Sequence, residues 1–176
     1  RRVRRGLGSI RQDINVSISC GDRVEIKGCQ DLDWIPRIIR LEMARQLYFY
    51  RLANELRSEF SLPPLPPDRE SDSIPVENRV EVATKKRIPY STHDVTECFS
   101  ESDSDMVSSS LQNGSCVLGI SLPGFSGKIG KKTTDEKGAQ LPRLGRELAS
   151  AAKLAGVLGI FHSDELPAYG ISEAEV

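Results

Sequence analysis

Ile-Asn-Val-Ser-Ile at residues 14–18 and Arg-Val-Glu-Ile-Lys at residues 23–27 both alternate apolar and polar side chains with a period of two. Because Gly21 and Asp22 form a turn signal between them, the pattern predicts an antiparallel hairpin with two unlike faces. The apolar face, which we expect to meet a core, carries Ile14, Val16, Ile18, Val24 and Ile26. The polar face is where chemistry is expected, and it carries Arg11, Asp13, Asn15, Ser17, Arg23, Glu25 and Lys27.

A long helix is predicted over residues 36–60, because proline suits the first helical turn and apolar side chains recur on one arc at about 100° per residue. This arc is expected to be core and consists of Ile38, Ile39, Met43, Leu47, Tyr48, Leu52, Leu56 and Phe60. On the opposite side lie Arg37, Arg40 and Arg51, where a solvated face is favoured over a phosphate track. Residues 61–75 hold five of the ten prolines and predict an extended spacer.

The rest of the chain predicts short strands with few helices, so the fold class is α+β. Strands are expected at residues 80–82, near 93–95, at 116–122 and, as a buried strand, at 157–161. The glycine-rich residues 123–132 predict a hairpin that exposes Lys128, Lys131 and Lys132. A helix is expected over residues 142–154, with Gly156 placed to cap its C-terminal end. Its apolar side comprises Leu144, Leu148, Ala151, Ala152 and Ala155.

Composition excludes several classes of protein. The 176 residues carry a net charge of −1, so bulk charge gives no general attraction to nucleic acid or membrane. Four cysteines without a CxxC pair, and only two histidines, predict no zinc site, and we expect buried thiols in a reducing compartment. Since no apolar run reaches about 18 residues and no signal peptide is visible, we expect a cytoplasmic protein with no membrane partner.

Two local motifs partly match a phosphate-binding loop and a catalytic serine, but neither match is complete. Gly124 and Gly130 are one position too far apart for a P-loop, Lys132 occupies its Ser/Thr position, and no helix follows directly. Residues 162–165, His-Ser-Asp-Glu, lack the glycine elbow of a nucleophilic serine. Hydrogen-bonded loop residues are the favoured interpretation of that motif.

The ends of the sequence point to a longer protein. The chain begins without methionine. Near its other end, Ser172 and Glu175 form a capping box, which predicts that a helix starts at residues 171–176. We therefore expect a fragment that is inactive by itself.

Two groups of residues resemble one known family. Residues 6–18 and 23–30 resemble the cradle domain of the E subunit of archaeal glutamyl-tRNA(Gln) amidotransferase and, more distantly, the B subunit of the bacterial enzyme. Residues 122–127, 145–148 and 159–171 are similar to the domain inserted in the archaeal protein, which is related to an insertion in bacterial-type aspartyl-tRNA synthetases. The resemblance implies part of a cradle at residues 1–62 and an inserted α+β domain at 78–170, whereas the linker expected at 63–77 rests on its prolines.

The family chemistry implied by this resemblance is ATP-dependent. The γ-carboxyl group of Glu-tRNA(Gln) is phosphorylated by ATP with Mg2+, and ammonia from an asparaginase-like partner subunit then displaces the phosphate to give Gln-tRNA(Gln). Such chemistry needs cations against the phosphoryl group and a base for the proton of ammonia. The candidate catalytic residues are Glu25 and Asp13 as acceptors, Arg11 and Lys27 as cations, and Asn15 as an orienting amide. Ligands for ATP and Mg2+ are expected outside this chain.

Other interpretations of these residues stay open. The polar face can instead be a salt-bridged ladder that holds the hairpin together. The protein can also be a non-catalytic module that binds tRNA or a protein through Lys128, Lys131 and Lys132, as in aspartyl-tRNA synthetase. A synthetase fragment is disfavoured, because residues 11–16 are not expected in that enzyme.

Overall fold

The computed structural model describes residues 12–68 and 88–175, and it confirms the predicted α+β class. The chain forms two compact units. One comprises Arg1–Ile88 with Thr134–Leu141, and the other comprises Pro89–Thr133 with Pro142–Val176. Arg11, the predicted strand at residues 80–82 and residues 69–77 of the predicted linker lie outside the described residues.

The predicted hairpin forms the start of the first unit. Strand β1 (Asp13–Val16) pairs antiparallel with strand β2 (Val24–Lys27). Ile14 and Val16 are buried together with Cys29, and the apolar side chains that pack against them are Ile26, Ile35, Ile38 and Ile39. The period-two pattern therefore places the hairpin on the first turns of the following helix, after a short 3-10 helix (Leu32–Trp34).

Helix α1 (Ile35–Glu59) confirms the predicted helix, with Pro36 in its first turn. Leu52 and Leu56 are buried as expected, but the prediction for Met43 is wrong, because its side chain is 44% exposed. Glu42 and Gln46 are buried instead. They follow Ile38 at successive steps of four residues, so the buried stripe of the helix continues through polar side chains.

One of the three arginines expected on a solvated face, Arg40, instead forms an ion pair with a buried carboxylate. Arg40 Nε lies 2.8 Å from Asp135 Oδ2, whose side chain is 2% exposed. Asp135 Oδ1 also accepts from Lys137 N and Ala139 N, which ties the turn at residues 135–139 to α1 within this unit. Burial raises the pKa of Asp135, but the hydrogen bonds from Ala139, Arg40 and Lys137 outweigh it and lower the pKa below its ordinary value.

The second unit contains a small sheet and two helices. Strand β3 (Ser91–Asp94) pairs antiparallel with β4 (Leu118–Ser121), which confirms the strands expected near 93–95 and within 116–122. Helix α2 (Asp105–Gln112) was not expected from the sequence, whereas α3 (Leu144–Leu154) was. Short 3-10 helices lie at Thr96–Phe99 and Glu173–Glu175. The core of the unit is Phe99, Val107 and Ile171.

The prediction of a buried strand at residues 157–161 is wrong. Val157 N donates to Ala152 O, so the segment begins by closing the last turn of α3, where Gly156 has the positive φ of 87° expected of a helix end. Leu158 is 74% exposed, and only Phe161 reaches the core, 5.6 Å from Phe99 between ring centroids. On the apolar side of α3, Leu148, Ala151 and Ala155 are exposed, whereas Leu144 and Ala152 are partly buried.

The expectation of four buried thiols holds only in part. Cys29 is buried and Cys20 is partly buried, whereas Cys98 and Cys116 are exposed, and all four are free. Within residues 12–68 and 88–175, no helix combines the length and the apolar character needed to cross a membrane.

Candidate functional site

Strand register brings the four described candidate residues of the hairpin onto one exposed face. Asn15 lies opposite Glu25, and Asp13 lies opposite Lys27. Directly opposed residues of an antiparallel pair share a face, so two carboxylates, an ammonium and an amide form a two-by-two array. Arg11, the fifth candidate, lies outside the described residues.

Within this array an ion pair runs along β2, between two residues of the same strand. Lys27 Nζ lies 3.3 Å from Glu25 Oε2, and the two side chains are 61% and 45% exposed. Water screens a pair of this kind, which is worth about 0–1 kcal/mol. The Lys27–Glu25 pair therefore adds little to the stability of the hairpin, and both side chains are accessible from solvent. An ion-paired ladder remains the alternative role for these side chains.

Behind the array, α1 holds β1 through a buried polar network. Gln46 Oε1 accepts from Ile18 N at 3.2 Å, and Gln46 Nε2 donates to Val16 O at 3.2 Å and to Glu42 Oε1 at 2.9 Å. Arg45 Nε donates to Glu42 Oε2 at 2.9 Å. Sequence reasoning missed all three helix residues. The available signal was the occurrence of polar side chains four and eight residues after Ile38, in line with an apolar stripe.

The glycine-rich stretch of the second unit is not the predicted hairpin but a series of turns around a carboxylate. Gly127 N donates to Asp164 Oδ1 at 2.7 Å, and Gly130 N donates to Asp164 Oδ2 at 2.9 Å. Backbone N–H groups that converge in this way form an anion-binding concavity. Because Asp164 already fills it, the loop is not organised to bind a phosphate.

The three lysines of this loop differ in their surroundings. Lys128 is partly buried rather than exposed, and its Nζ donates to Gly124 O at 2.7 Å. Lys131 and Lys132 are exposed. If the loop meets nucleic acid, the two exposed lysines are the side chains placed to do so.

The motif at residues 162–165 forms a hydrogen-bonded loop, in agreement with the favoured interpretation. Arg143 Nη1 donates to Glu165 Oε1 at 2.6 Å, and His162 Nε2 lies 3.3 Å from Glu165 Oε2. Gly130 and Gly145 leave the space for this arrangement, since a Cβ at Gly145 would lie 2.7 Å from His162 Nε2. These contacts join the loop to the start of α3.

We predict that Asp164→Asn destabilises the second unit by about 1.5 kcal/mol at neutral pH, because the amide turns an N–H toward one of the glycine N–H donors. Burial raises the pKa of Asp164, but the N–H groups of Gly130, Gly127 and Ile129 and the nearby His162 outweigh it and lower the pKa below its ordinary value. Because the pKa is lower in the folded than in the unfolded state, the ionised carboxylate stabilises the fold at pH values above the unfolded-state pKa of about 3.9. This stabilisation is lost as the pH falls through the folded-state pKa.

Urea unfolding across pH checks this prediction. The difference between wild type and Asp164→Asn should narrow as the pH falls below about 4, because the protonated carboxyl no longer accepts with both oxygens. Ser163→Ala, at the exposed neighbouring position, is the matched control. A difference that stays constant from neutral to acidic pH would contradict the assigned role of the carboxylate.

The donor set of the described residues does not fit a complete metal site. Among residues 12–68 and 88–175, no three His, Cys, Asp or Glu side chains come together in a way that could hold a metal ion. Mg2+ usually keeps several waters and takes one or two carboxylates together with substrate phosphates. Asp13 and Glu25 are the two carboxylates of the array, and Glu25 is already paired with Lys27. The described residues therefore do not form a complete Mg2+ site by themselves.

Comparisons with known proteins agree with the resemblance seen in the sequence. A family model described as the GatB/GatE catalytic domain matches residues 2–136. Among curated proteins, the E subunits of glutamyl-tRNA(Gln) amidotransferase from Thermococcus gammatolerans and Pyrococcus furiosus are each 42% identical over the whole chain. The corresponding protein of Haloarcula marismortui is 39% identical over 99% of the chain. The chain spans only 23–24% of the length of these relatives.

Proposed function

Because the chain belongs to the GatB/GatE catalytic-domain family, we propose that it is part of a tRNA-dependent amidotransferase that converts Glu-tRNA(Gln) to Gln-tRNA(Gln). The observation that carries this proposal is the 39–42% identity along the chain to proteins named as the E subunit of glutamyl-tRNA(Gln) amidotransferase. The exposed array of carboxylates, ammonium and amide on the hairpin supports it, because these are the side-chain types that the reaction requires.

The proposed reaction has two steps, with ATP as a substrate. In the first, an oxygen of the glutamyl γ-carboxylate attacks the γ-phosphorus of ATP, and ADP leaves. In the second, ammonia attacks the carbonyl carbon of the acyl phosphate, the C–O bond to phosphate breaks, and a base takes the surplus proton. When bound, Mg2+ would neutralise charge on the phosphates. We propose that the residues that bind ATP and Mg2+ lie in the parts of the longer protein outside this chain.

The residues of this chain have distinct proposed roles in that sequence. Glu25 and Asp13 accept protons, and Glu25 is the stronger candidate. Lys27 and Arg11 supply positive charge to the transferring or departing phosphate, and Asn15, directly opposite Glu25, orients the substrate by hydrogen bonds. The pairing of Lys27 with Glu25 is weak and exposed, so a substrate phosphate can compete for the ammonium.

Partners of the proposed enzyme follow from its chemistry. Ammonia must be released beside the acyl phosphate, and an asparaginase-like subunit is the proposed source. Glu-tRNA(Gln) is the second partner, and Lys131 and Lys132 are proposed contacts to its phosphates. We place the assembly in the cytoplasm, where charged tRNA is used. The 176 residues alone are not expected to turn over substrate.

The test uses the full-length protein with its partner subunit. We expect ATP hydrolysis that depends on Glu-tRNA(Gln), together with formation of Gln-tRNA(Gln) when an ammonia donor is present. Uncharged tRNA(Gln) is the control, because it offers the same nucleic acid surface without the γ-carboxyl group. Hydrolysis that is equal with charged and uncharged tRNA, and no Gln-tRNA(Gln), would overturn the enzyme proposal and favour a tRNA- or protein-binding module.

A further inference from the structure

Both ends of the Gln46 side-chain amide bond to the backbone at the end of the strand that carries the candidate site. Its side chain is buried, with 8% of the residue exposed, at the middle of α1. Ile18 N–H and Val16 C=O, to which it is bonded at 3.2 Å each, are two residues apart along the chain. One residue of a parallel neighbouring strand would bond to such a pair of groups. The amide of Gln46 therefore takes the place of a neighbouring strand at the end of β1.

The orientation of this amide is fixed by its surroundings. Glu42 Oε1 accepts from Gln46 Nε2 at 2.9 Å, which leaves Gln46 Oε1 to face Ile18 N–H. Arg45 on Glu42 Oε2 supplies the positive charge that a buried carboxylate needs. On the other side, a Cβ at Gly21 would collide with Gln46 Oε1. The sequence thus holds the amide in one place and in one direction.

We propose that Gln46 is a positioning residue for the polar face of the hairpin. Side chains alternate between the two faces of a strand, so a change in the twist or register at Val16 and Ile18 is passed directly to Asn15 and Asp13. Gln46 fixes that part of the strand and thereby fixes where Asn15 stands against Glu25. This inference rests on the proposed function of the array.

Gln46→Met tests the proposal in the full-length protein with its partner subunit. Methionine keeps the length and helical preference of glutamine but makes none of the three hydrogen bonds. We expect kcat for Glu-tRNA-dependent ATP hydrolysis to fall about 10-fold, with KM for ATP within about 2-fold. Arg51→Met, at an exposed position of the same helix, is the matched control and should keep wild-type kcat.

A double-mutant cycle separates positioning from a general loss of stability. If Gln46 acts through the array, Gln46→Met has little further effect on kcat once Asn15→Ala is present, whereas independent effects would multiply. Gly21→Ala is a second variant, because it displaces the amide without removing it, and we expect a similar fall in kcat. It serves if Gln46→Met does not fold.

The possible failures are distinguishable. Absence of Glu-tRNA-dependent hydrolysis in the wild type overturns the proposed function itself. Wild-type kcat in Gln46→Met and Gly21→Ala, with a lowered melting temperature, overturns the positioning role and leaves a structural one. Multiplicative effects in the cycle with Asn15→Ala overturn it as well. Amide exchange at Ile18 is a readout independent of activity, and it should be faster in Gln46→Met than in the Arg51→Met control.

Discussion

Replacing Glu25 by glutamine in the full-length protein with its partner subunit is expected to lower the rate of Gln-tRNA(Gln) formation by about 100-fold or more, which is about 2.7 kcal/mol. The substitution keeps the shape of the side chain and removes its charge and its basicity. A residue that receives the proton of ammonia or orients the substrate through its carboxylate cannot be replaced by an amide.

The same substitution should leave the stability of the hairpin nearly unchanged. The pairing of Glu25 with Lys27 is exposed, and such pairs are worth about 0–1 kcal/mol. Glu97→Gln is the matched control, since Glu97 is an exposed glutamate of the second unit and does not belong to the array. Circular dichroism of both variants checks that they fold. Equal turnover by wild type and Glu25→Gln would make the array an ion-paired surface, while the assignment to the family would stand.

The array could be predicted from the sequence because it depends on a local rule. A period of two along both strands determines which side chains share a face, and the observed register, with Asn15 against Glu25, agrees with that rule. The turn itself lies at Ile18–Gly21 rather than at the predicted Gly21–Asp22. The apolar residues Ile14 and Val16 lie on the buried face for the same reason. No knowledge of distant contacts was needed.

The support behind the array could not be predicted in this way. Glu42 and Gln46 lie on the buried side of α1, yet hydropathy alone places Met43 on that side. Burial of the two polar side chains is stable only because backbone groups of β1 and the guanidinium of Arg45 satisfy them. Those partners include groups from another segment of the chain, so the outcome depends on tertiary contacts that no local pattern contains.

The glycine-rich loop illustrates the same limit. Its glycines indicate turns from the sequence alone, but the choice between a hairpin and consecutive turns is made by Asp164, which is more than 30 residues away. Residues 157–161 differ from their prediction for a related reason. Their first N–H group closes α3, and strand propensity cannot outweigh a competing helix end.

The largest effect on stability is expected from Gly170→Ala in the second unit. Gly170 has a φ of 78°, and a Cβ there would lie 2.9 Å from the backbone Cα of Ser104 and 3.2 Å from its N. These are main-chain atoms at a residue that is 1% exposed, and the next residue, Ile171, belongs to the core. The backbone at Ser104 and the backbone at Gly170 cannot move apart without disrupting that core. Left-handed strain together with overpacking should cost about 3 kcal/mol.

Gly114→Ala separates the two causes of this destabilisation, which are backbone strain and overpacking. Gly114 lies in the same unit with a φ of 79°, but its missing Cβ would meet no atom within 4 Å. The control therefore carries the backbone strain alone, which is about 1 kcal/mol. Amide exchange in the core, at Phe99 and Val107, reports the stability of the unit in the full-length protein. Equal acceleration in both variants would mean that the backbone at Ser104 yields to a methyl group, and that the contact with Gly170 does not define how residues 168–171 close on this core.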